Sequence, residues 1–370
     1  MQGSVKGLQH PALLLSVEDA DIIRSFSSDA EKLRLLHPAQ LAVFYRQQWF
    51  KALVPAAYGG LELPLPEMVA LEEAVSYADG SASWVMTLCS GAGWFAGFID
   101  PVVAAIFFSG TNICICGSGA ATGYAEKLVG GYSISGTWLH ATGAPHATAF
   151  TANCIIKENG IILLNEKSEP VIRSFIFLKE EVTIIPKWNS IGMIATASFG
   201  FQVTDLHVSS DRCFIISPGS AVMPSPLYQY PFLQLAEVTL AANLSGMAMH
   251  FMDIANEYFS KKTGRNKILL SQEPVINKIS QTVMETMSNA RAAFYTILNK
   301  SWQQIIANSS INEEILQAVS TSSRALAAAA RAATDSLYPY CGLSAADPSS
   351  ELNRTWRDIH TASQHTMLLY

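Results

Sequence analysis

The sequence predicts an α+β fold that is mainly helical, with a β-domain between two helical segments. Residues 16–109 carry apolar side chains at helical spacing, and residues 112–214 consist of short runs rich in Ile, Val, Thr and Phe between turn residues. Long helical patterns return after Pro218. A chain of 370 residues is long enough for about two to three domains. The predicted domains are helical (1–111), β (112–217) and a helical bundle (218–370).

Two helices are predicted in the first segment. Ser28 or Asp29 can cap one that runs to Leu36. A longer helix follows Pro64, because apolar residues then recur three to four positions apart.

The β-domain and the bundle are predicted from runs of opposite character. The strand-like runs are 114–117, 131–136, 149–157, 160–165, 174–178 and 199–208. The helical runs are 233–259, 271–306 and 312–338, and their lengths suit extended antiparallel helices.

The composition is poor in charge. Apolar residues make up 49% of the chain and charged residues 15%, against about 25% charged in an average protein. No run of about 18 apolar residues is present, and the first residues do not have the pattern of a secretory signal, so we expect a cytoplasmic protein with no membrane contact. The net charge of −6 and the lack of a phosphate-binding basic cluster disfavour nucleic acid as a partner.

The six cysteines do not have the paired spacing of a zinc site, so no metal is predicted. Cys114 and Cys116 form an isolated C-x-C in an apolar run. Alternate residues of a strand share one face, and free cysteine is commonly buried. We therefore expect both thiols on the buried face of a strand.

Three clusters of the sequence, in this order, resemble the acyl-CoA dehydrogenase superfamily and, within it, the flavin-dependent aromatic monooxygenases. The first comprises VPAAYGG at 54–60 and EEAVSYADGSASWV at 72–85. The second comprises GGYSISGTWLHATGAPHA at 130–147 and WNSIGMIATAS at 188–198, and the third is RTWRDIHTASQH at 354–365. The resemblance implies an N-terminal helical domain, a central β-barrel-like domain and a C-terminal four-helix bundle.

The resemblance also implies a flavin, FMN or FAD, in a cleft between the β-domain and the bundle. Its contacts fall on a loop after the first strand and on a second segment that begins with an aromatic position beside the ring. A planar heterocycle needs a stacking surface and hydrogen-bond partners along its edges. The implied flavin contacts are Ser118, Gly123, His140, Thr142 and Gly143.

One departure separates the two branches of the superfamily. The dehydrogenase base is a Glu about nine residues after the Arg of an Arg-Asp pair, but Thr366 stands at that distance from Arg357. Its neighbour His365 matches the His of the monooxygenases, so the resemblance implies His365 as the catalytic residue. Trp84 and His146 are the expected pocket residues, with a structural role as the alternative for each. Arg357 and Asp358 are expected to be structural.

The sequence therefore predicts the oxygenase component of a two-component monooxygenase, which uses reduced flavin from a separate reductase and O₂ on an aromatic substrate. The low charge and the fold predict a homodimer or homotetramer whose helices from Leu233 onward are buried between subunits. Two alternatives stay open. One is an acyl-CoA dehydrogenase with a relocated base, Asp347 or Glu351, and the other is a catalytically degenerate structural or binding member.

Overall fold

The structure is a computed structural model that describes residues 8–369. Its first segment is helical, as predicted. The helices are α1 (Val17–Ser25), α2 (Ser27–Leu33), α3 (Pro38–Arg46), α4 (Leu65–Ala78), α5 (Gly80–Trp94) and α6 (Pro101–Phe108).

The expected helix from Ser28 or Asp29 to Leu36 is wrong at both ends. Helix α2 begins directly after α1 and has no side-chain cap, because Phe26 is shared between the two helices. It ends at Leu33, since Arg34 adopts a left-handed conformation with φ of 60°. The longer helix after Pro64 is confirmed as α4.

An eight-stranded sheet forms the middle of the chain. Its strands are β1 (Ile115–Leu128), β2 (Gly131–Ala141), β3 (Ala149–Glu158), β4 (Ile161–Ile162), β5 (Ile172–Leu178), β6 (Thr183–Ile185), β7 (Phe199–Ser209) and β8 (Cys213–Phe214). The strand order is β6-β7-β2-β1-β3-β5-β8, and β4 pairs with β3. The prediction missed β6 and β8, which are too short to show an alternating pattern.

Trp138 on β2 anchors the interior of the sheet. Its side chain has no exposed surface, its ring stacks on Phe201 at a centroid distance of 5.2 Å, and its Nε1 donates to the Asn153 carbonyl over 3.0 Å. A Cβ at Gly123 or Gly136 would come within 3 Å of this indole. Both glycines are therefore needed for its packing.

The last segment is a bundle dominated by three long helices. Its helices are α7 (Pro226–Gln229), α8 (Phe232–Lys261), α9 (Pro274–Asn308), α10 (Glu313–Leu337), α11 (Gly342–Ala346) and α12 (Glu351–Ala362). Helices α8, α9, α10 and α12 form the four-helix bundle, and α4 and α5 pack against α8. Among residues 8–369, no helix is both long enough and apolar enough to cross a membrane.

Helix α8 is the centre of the helical part of the molecule. Residues 237–248 of this helix are buried without interruption. A Cβ at Gly246 would lie 2.2 Å from the Glu73 carbonyl oxygen, so α4 crosses α8 at backbone contact. Contacts within the chain bury this part of α8, which explains why it has few charged residues. Contact with a partner subunit, which the sequence led us to expect, is not needed to explain it.

A buried ion pair joins α4 to α9 beside that crossing. Both carboxylate oxygens of Glu73 accept hydrogen bonds of 2.8 Å from the Arg291 guanidinium. The Tyr295 hydroxyl donates to Glu73 over 2.7 Å, and the Ser245 hydroxyl of α8 donates to the other oxygen. Glu73 is 1% exposed, so its carboxylate is hydrogen-bonded to these protein donors instead of to water.

Replacing Glu73 is expected to destabilise the protein strongly. Glu73→Gln leaves the Arg291 cation buried without its counter-ion, which costs about 3–5 kcal/mol of unfolding free energy. The matched control is Glu257→Gln, because Glu257 pairs with Lys261 on the exposed face of α8 and its loss should cost less than about 1 kcal/mol. Urea unfolding of the two variants measures both values, and equal losses would contradict the assignment.

Candidate functional site

A cleft opens between the β-domain and the C-terminal end of α12. Its volume is about 510 Å³, within the usual range for small-molecule sites. One wall comes from the segment after β6. The other comes from the last turn of α12 and from Gln364, which lies two residues beyond the end of that helix. The lining residues are Trp188, Ser190, Ile191, His360, Thr361 and Gln364.

The wall after β6 is fixed to α12 by Gly192 and Met193. A Cβ at Gly192 would lie 2.0 Å from the Arg357 carbonyl oxygen, so only glycine allows this approach. The next amide, that of Met193, donates to Oδ1 of Asp358. Arg357 adds hydrogen bonds to the Ile191 carbonyl and to Glu31 on α2, at 2.7 and 2.6 Å. Arg357 and Asp358 thus connect α12 to other elements of the fold, and they do not pair with each other. Their expected structural role stays a prediction.

Asp358 is fully buried at this joint. Burial, together with the nearby carboxylate of Asp79, raises the pKa of its carboxyl to about 7, against the lowering effect of the Met193 amide. Ser81 at the start of α5 lies 3.4 Å from the second oxygen. The joint therefore holds a carboxyl group that is partly protonated at neutral pH.

Thr142 is connected to the same wall by a chain of hydroxyl groups. Its Oγ1 lies 2.9 Å from Ser198 Oγ, which lies 2.8 Å from Thr196 Oγ1. Thr196 donates to the Met193 carbonyl oxygen over 2.8 Å, and the Trp188 indole N–H donates to the same oxygen. The three hydroxyl side chains are buried, so Thr142 has a fixed place behind the cleft wall.

His140 lies at the rim of this wall. It has a φ of +64°, an uncommon conformation for a residue with a Cβ, at a point where the register of β2 and β7 shifts. Its exposed ring meets the Trp188 ring edge-on at a centroid distance of 5.8 Å. The shift thus presents an aromatic surface beside the cleft, and the flavin contact of His140 stays a prediction.

Ser118 and Gly123 do not lie on a loop after the first strand. Both belong to β1, at the ends of an irregularity where its pairing with β3 slips. Ser118 is half-buried, whereas Gly123 is buried against the Trp138 indole. Packing against Trp138 therefore explains why residue 123 is glycine, and its flavin contact stays a prediction.

His365 and Trp84 come together from opposite ends of the chain. His365 directly follows Gln364 of the cleft wall, and its ring meets Trp84 of α5 edge-on at a centroid distance of 6.0 Å. Its Nδ1 is buried and has no hydrogen-bond partner among residues 8–369. Burial lowers the pKa of His365, so the ring is neutral at neutral pH and one nitrogen is free to accept a proton.

Gly143 and His146 lie on the turn that follows β2. Gly143 has a φ of +77°, and its amide donates to the Thr196 carbonyl over 2.9 Å. Burial lowers the pKa of His146, and the charge of nearby Lys179 lowers it further. The role of His146 in a substrate pocket stays a prediction.

The carboxylates considered as relocated bases lie at the other end of α12. Glu351 starts that helix, about 14 Å along its axis from His360, and pairs with His250 over 2.9 Å. Asp347 is exposed and accepts hydrogen bonds from Ser349. Thr366, at the position of the dehydrogenase base, is exposed. This geometry disfavours the dehydrogenase alternative.

The residues present fit a flavin. The cleft offers the aromatic faces of His140 and Trp188 on one side, and a buried, unpartnered imidazole nitrogen lies beside Trp84. Sequence reasoning missed the residues that fix this wall. Ser198 and Thr196 were quoted within a motif, but only their contacts with Thr142 show what they do.

The comparisons with known proteins agree with this geometry. Residues 238–370 match the family model described as acyl-CoA dehydrogenase, C-terminal domain. The 3-HSA hydroxylase from Rhodococcus sp. RHA1 superposes with a TM-score of 0.86 at 20% identity, over 95% of this chain and 91% of that one. XiaF from Streptomyces sp., solved with FADH2 and glycerol, also gives 0.86, at 19% identity over 95% and 89% of the two chains. The chain has the acyl-CoA dehydrogenase fold.

The resemblance predicted from the sequence is thereby confirmed, and the curated relatives lie on its monooxygenase side. Indole-3-acetate monooxygenase of Pseudomonas putida is 24% identical, over 96% of this chain and 89% of the relative. The oxygenase subunit HsaA of a flavin-dependent monooxygenase of Rhodococcus jostii is 23% identical, over 93% and 91%. These relatives are oxygenases rather than dehydrogenases.

Changing Gly192 should open the cleft wall. Gly192→Ala places a methyl group against the Arg357 carbonyl and the Asp358 amide, and backbone at both points cannot move aside. We expect a loss of about 1–3 kcal/mol in unfolding free energy and weaker flavin binding. The control is Gly219→Ala, where the new Cβ would meet no atom within 4 Å. Urea unfolding and flavin fluorescence titration measure the two effects. A Gly192→Ala variant that behaves like the control would refute the role of Gly192 in joining the cleft wall to α12.

Proposed function

We propose that this chain is the oxygenase component of a two-component flavin-dependent monooxygenase that acts on aromatic substrates. The observation that carries the proposal is the His365 imidazole. It stands next to the position of the dehydrogenase base, it lies half-buried against Trp84, and its buried Nδ1 has no partner among the described residues. The oxygenase names of the relatives support the same conclusion.

Five residues are proposed to hold the flavin. His140, supported by Trp188, offers the aromatic surface, while Thr142 offers a hydroxyl kept in place by Ser198. The Gly143 turn and the irregular stretch of β1 from Ser118 to Gly123 supply the other proposed contacts. A bound reduced flavin would supply the activation of O₂. FMN and FAD both suit these residues.

His365 is proposed to accept a proton from the substrate. A phenol or an indole is more electron-rich when its O–H or N–H is hydrogen-bonded to a base, and a neutral imidazole is such a base. Burial keeps the ring neutral because it lowers the pKa of His365. Trp84 packs on the ring and limits the access of water to it.

Removing the imidazole should reduce hydroxylation without releasing the flavin. Chemically reduced FMN or FAD, ¹⁸O₂ and a panel of phenols and indoles are supplied to the wild type and to His365→Ala, and the product is followed by mass spectrometry. We expect one ¹⁸O atom in the wild-type product and a rate about 10²-fold or more lower in the variant. Flavin affinity should stay within about twofold.

The control for this experiment is His207→Ala, which removes an exposed imidazole from β7. It should keep the wild-type rate. Labelled product formed equally fast by His365→Ala would refute the role of His365. Reduction of bound FAD by acyl-CoA substrates would instead favour the dehydrogenase alternative, and a protein that binds no flavin would favour the degenerate one.

We further propose that reduced flavin comes from a separate reductase and that the chain forms a homodimer or homotetramer. A cytoplasmic location stays a prediction. The assembly is supported by exposed apolar side chains on α9, namely Val275, Met284 and Ile306, and by exposed alanines on α10, namely Ala325, Ala328 and Ala332. Low charge on outward helix faces suits contact with another copy.

Light scattering tests this assembly. The expected mass is two or four times that of one chain, and Ala328→Arg should lower it, because a guanidinium would have to be desolvated in the interface. Ile161→Arg, which changes an exposed apolar residue of the β-domain, is the control and should leave the mass unchanged. A wild-type mass equal to one chain would contradict the proposal.

A further inference from the structure

Three thiols meet in the core behind the turn that carries Thr142 and Gly143. Cys89 comes from α5, Cys116 is the second residue of β1, and Cys114 lies just before that strand. Both thiols are buried, as predicted, but only Cys116 belongs to the strand. The three side chains are at most 1% exposed. Sequence reasoning found no metal spacing here, because the third ligand comes from a helix about 25 residues away.

The distances among the sulfur atoms suit a single ion. Cys89 Sγ and Cys116 Sγ are 3.6 Å apart, and all three Sγ atoms lie within 4.8 Å of one another. Metal–thiolate bonds are about 2.3 Å long, so three sulfurs around one ion in a plane are roughly 4.0 Å apart. Small rotations of the side chains would bring the cluster to that geometry.

The composition of the cluster decides the kind of ion. Thiolate ligands select soft metals such as Cu(I) over Mg²⁺ or Ca²⁺. Structural zinc sites almost always have four ligands, but within residues 8–369 no fourth His, Cys, Asp or Glu joins the three sulfurs within 4.8 Å. Three sulfurs alone match the three-coordinate preference of Cu(I) with thiolates.

We propose that Cys89, Cys114 and Cys116 form a buried three-thiolate site for one Cu(I) ion. Each ligating thiol gives its proton to solvent as the metal–sulfur bond forms, and the copper keeps its oxidation state. The Cys89 thiol now lies 3.6 Å from the Thr142 carbonyl oxygen. Metal binding would withdraw it from that contact, so the site adjoins the proposed flavin turn without sharing a residue with it.

Competition with a Cu(I) chelator tests the site. Reduced protein is incubated without oxygen with Cu(I) and bathocuproine disulfonate. We expect the wild type to retain one Cu(I) per chain, with X-ray absorption showing three sulfur neighbours at about 2.3 Å. Cys89→Ser and Cys116→Ser should each bind at least tenfold more weakly.

The matched controls are Cys154→Ser and Cys341→Ser, which change thiols that are equally buried but lie outside the cluster. Both should bind Cu(I) as the wild type does. If the cluster variants do not fold, the wild-type stoichiometry and its X-ray absorption spectrum decide the question alone. The proposal fails if the chelator removes all copper, if nitrogen or oxygen ligands replace sulfur, or if only zinc is retained.

Discussion

The hydrogen bond from the Met193 amide to Asp358 joins the two walls of the cleft. One wall belongs to the sheet and the other to the bundle, and in this contact a side chain of α12 directly accepts a hydrogen bond from the sheet-side wall. Because residue 192 is glycine, its backbone packs directly against that of Arg357, and the Asp358 carboxyl therefore lies within hydrogen-bond distance of the Met193 amide. The position of Trp188, and through it that of His140, therefore depends on a residue pair separated by 165 positions in sequence.

Rigidity behind this joint comes from α5 and α8. Helix α5 supplies Ser81 near Asp358, Trp84 against His365, and Cys89 behind the Thr142 turn, so one helix connects all the parts of the site. It packs in turn against α8, which is buried without interruption over residues 237–248. Glu73 and Arg291, which are both buried, neutralise each other, because an unpaired buried ion would be costly.

Periodicity predicted the order of the elements well, since long helices and alternating strands leave strong patterns. It failed where tertiary contacts decide the outcome. The start of α2 depends on Phe26 being shared with α1, and the position of Ser118 depends on a slip in strand pairing that propensity does not encode. In the site, the resemblance supplied His365 and His140. The contacts that fix them, made by Met193 and Ser198, involve side chains with no chemical signature of their own.

The two chemistries of this fold use different proton acceptors, a carboxylate and an imidazole, and burial changes their pKa values in opposite directions. Burial disfavours the charged form of a carboxylate, and it raises the pKa of the Asp358 carboxyl to about 7 even though that group accepts a hydrogen bond from the Met193 amide. Burial has the opposite consequence for an imidazole, because it lowers the pKa of His365 and leaves the neutral, proton-accepting form. In the proposed mechanism, the neutral His365 imidazole beside Trp84 would therefore accept the O–H or N–H proton of an aromatic substrate, whereas the C–H of a thioester is too weakly acidic for such a base.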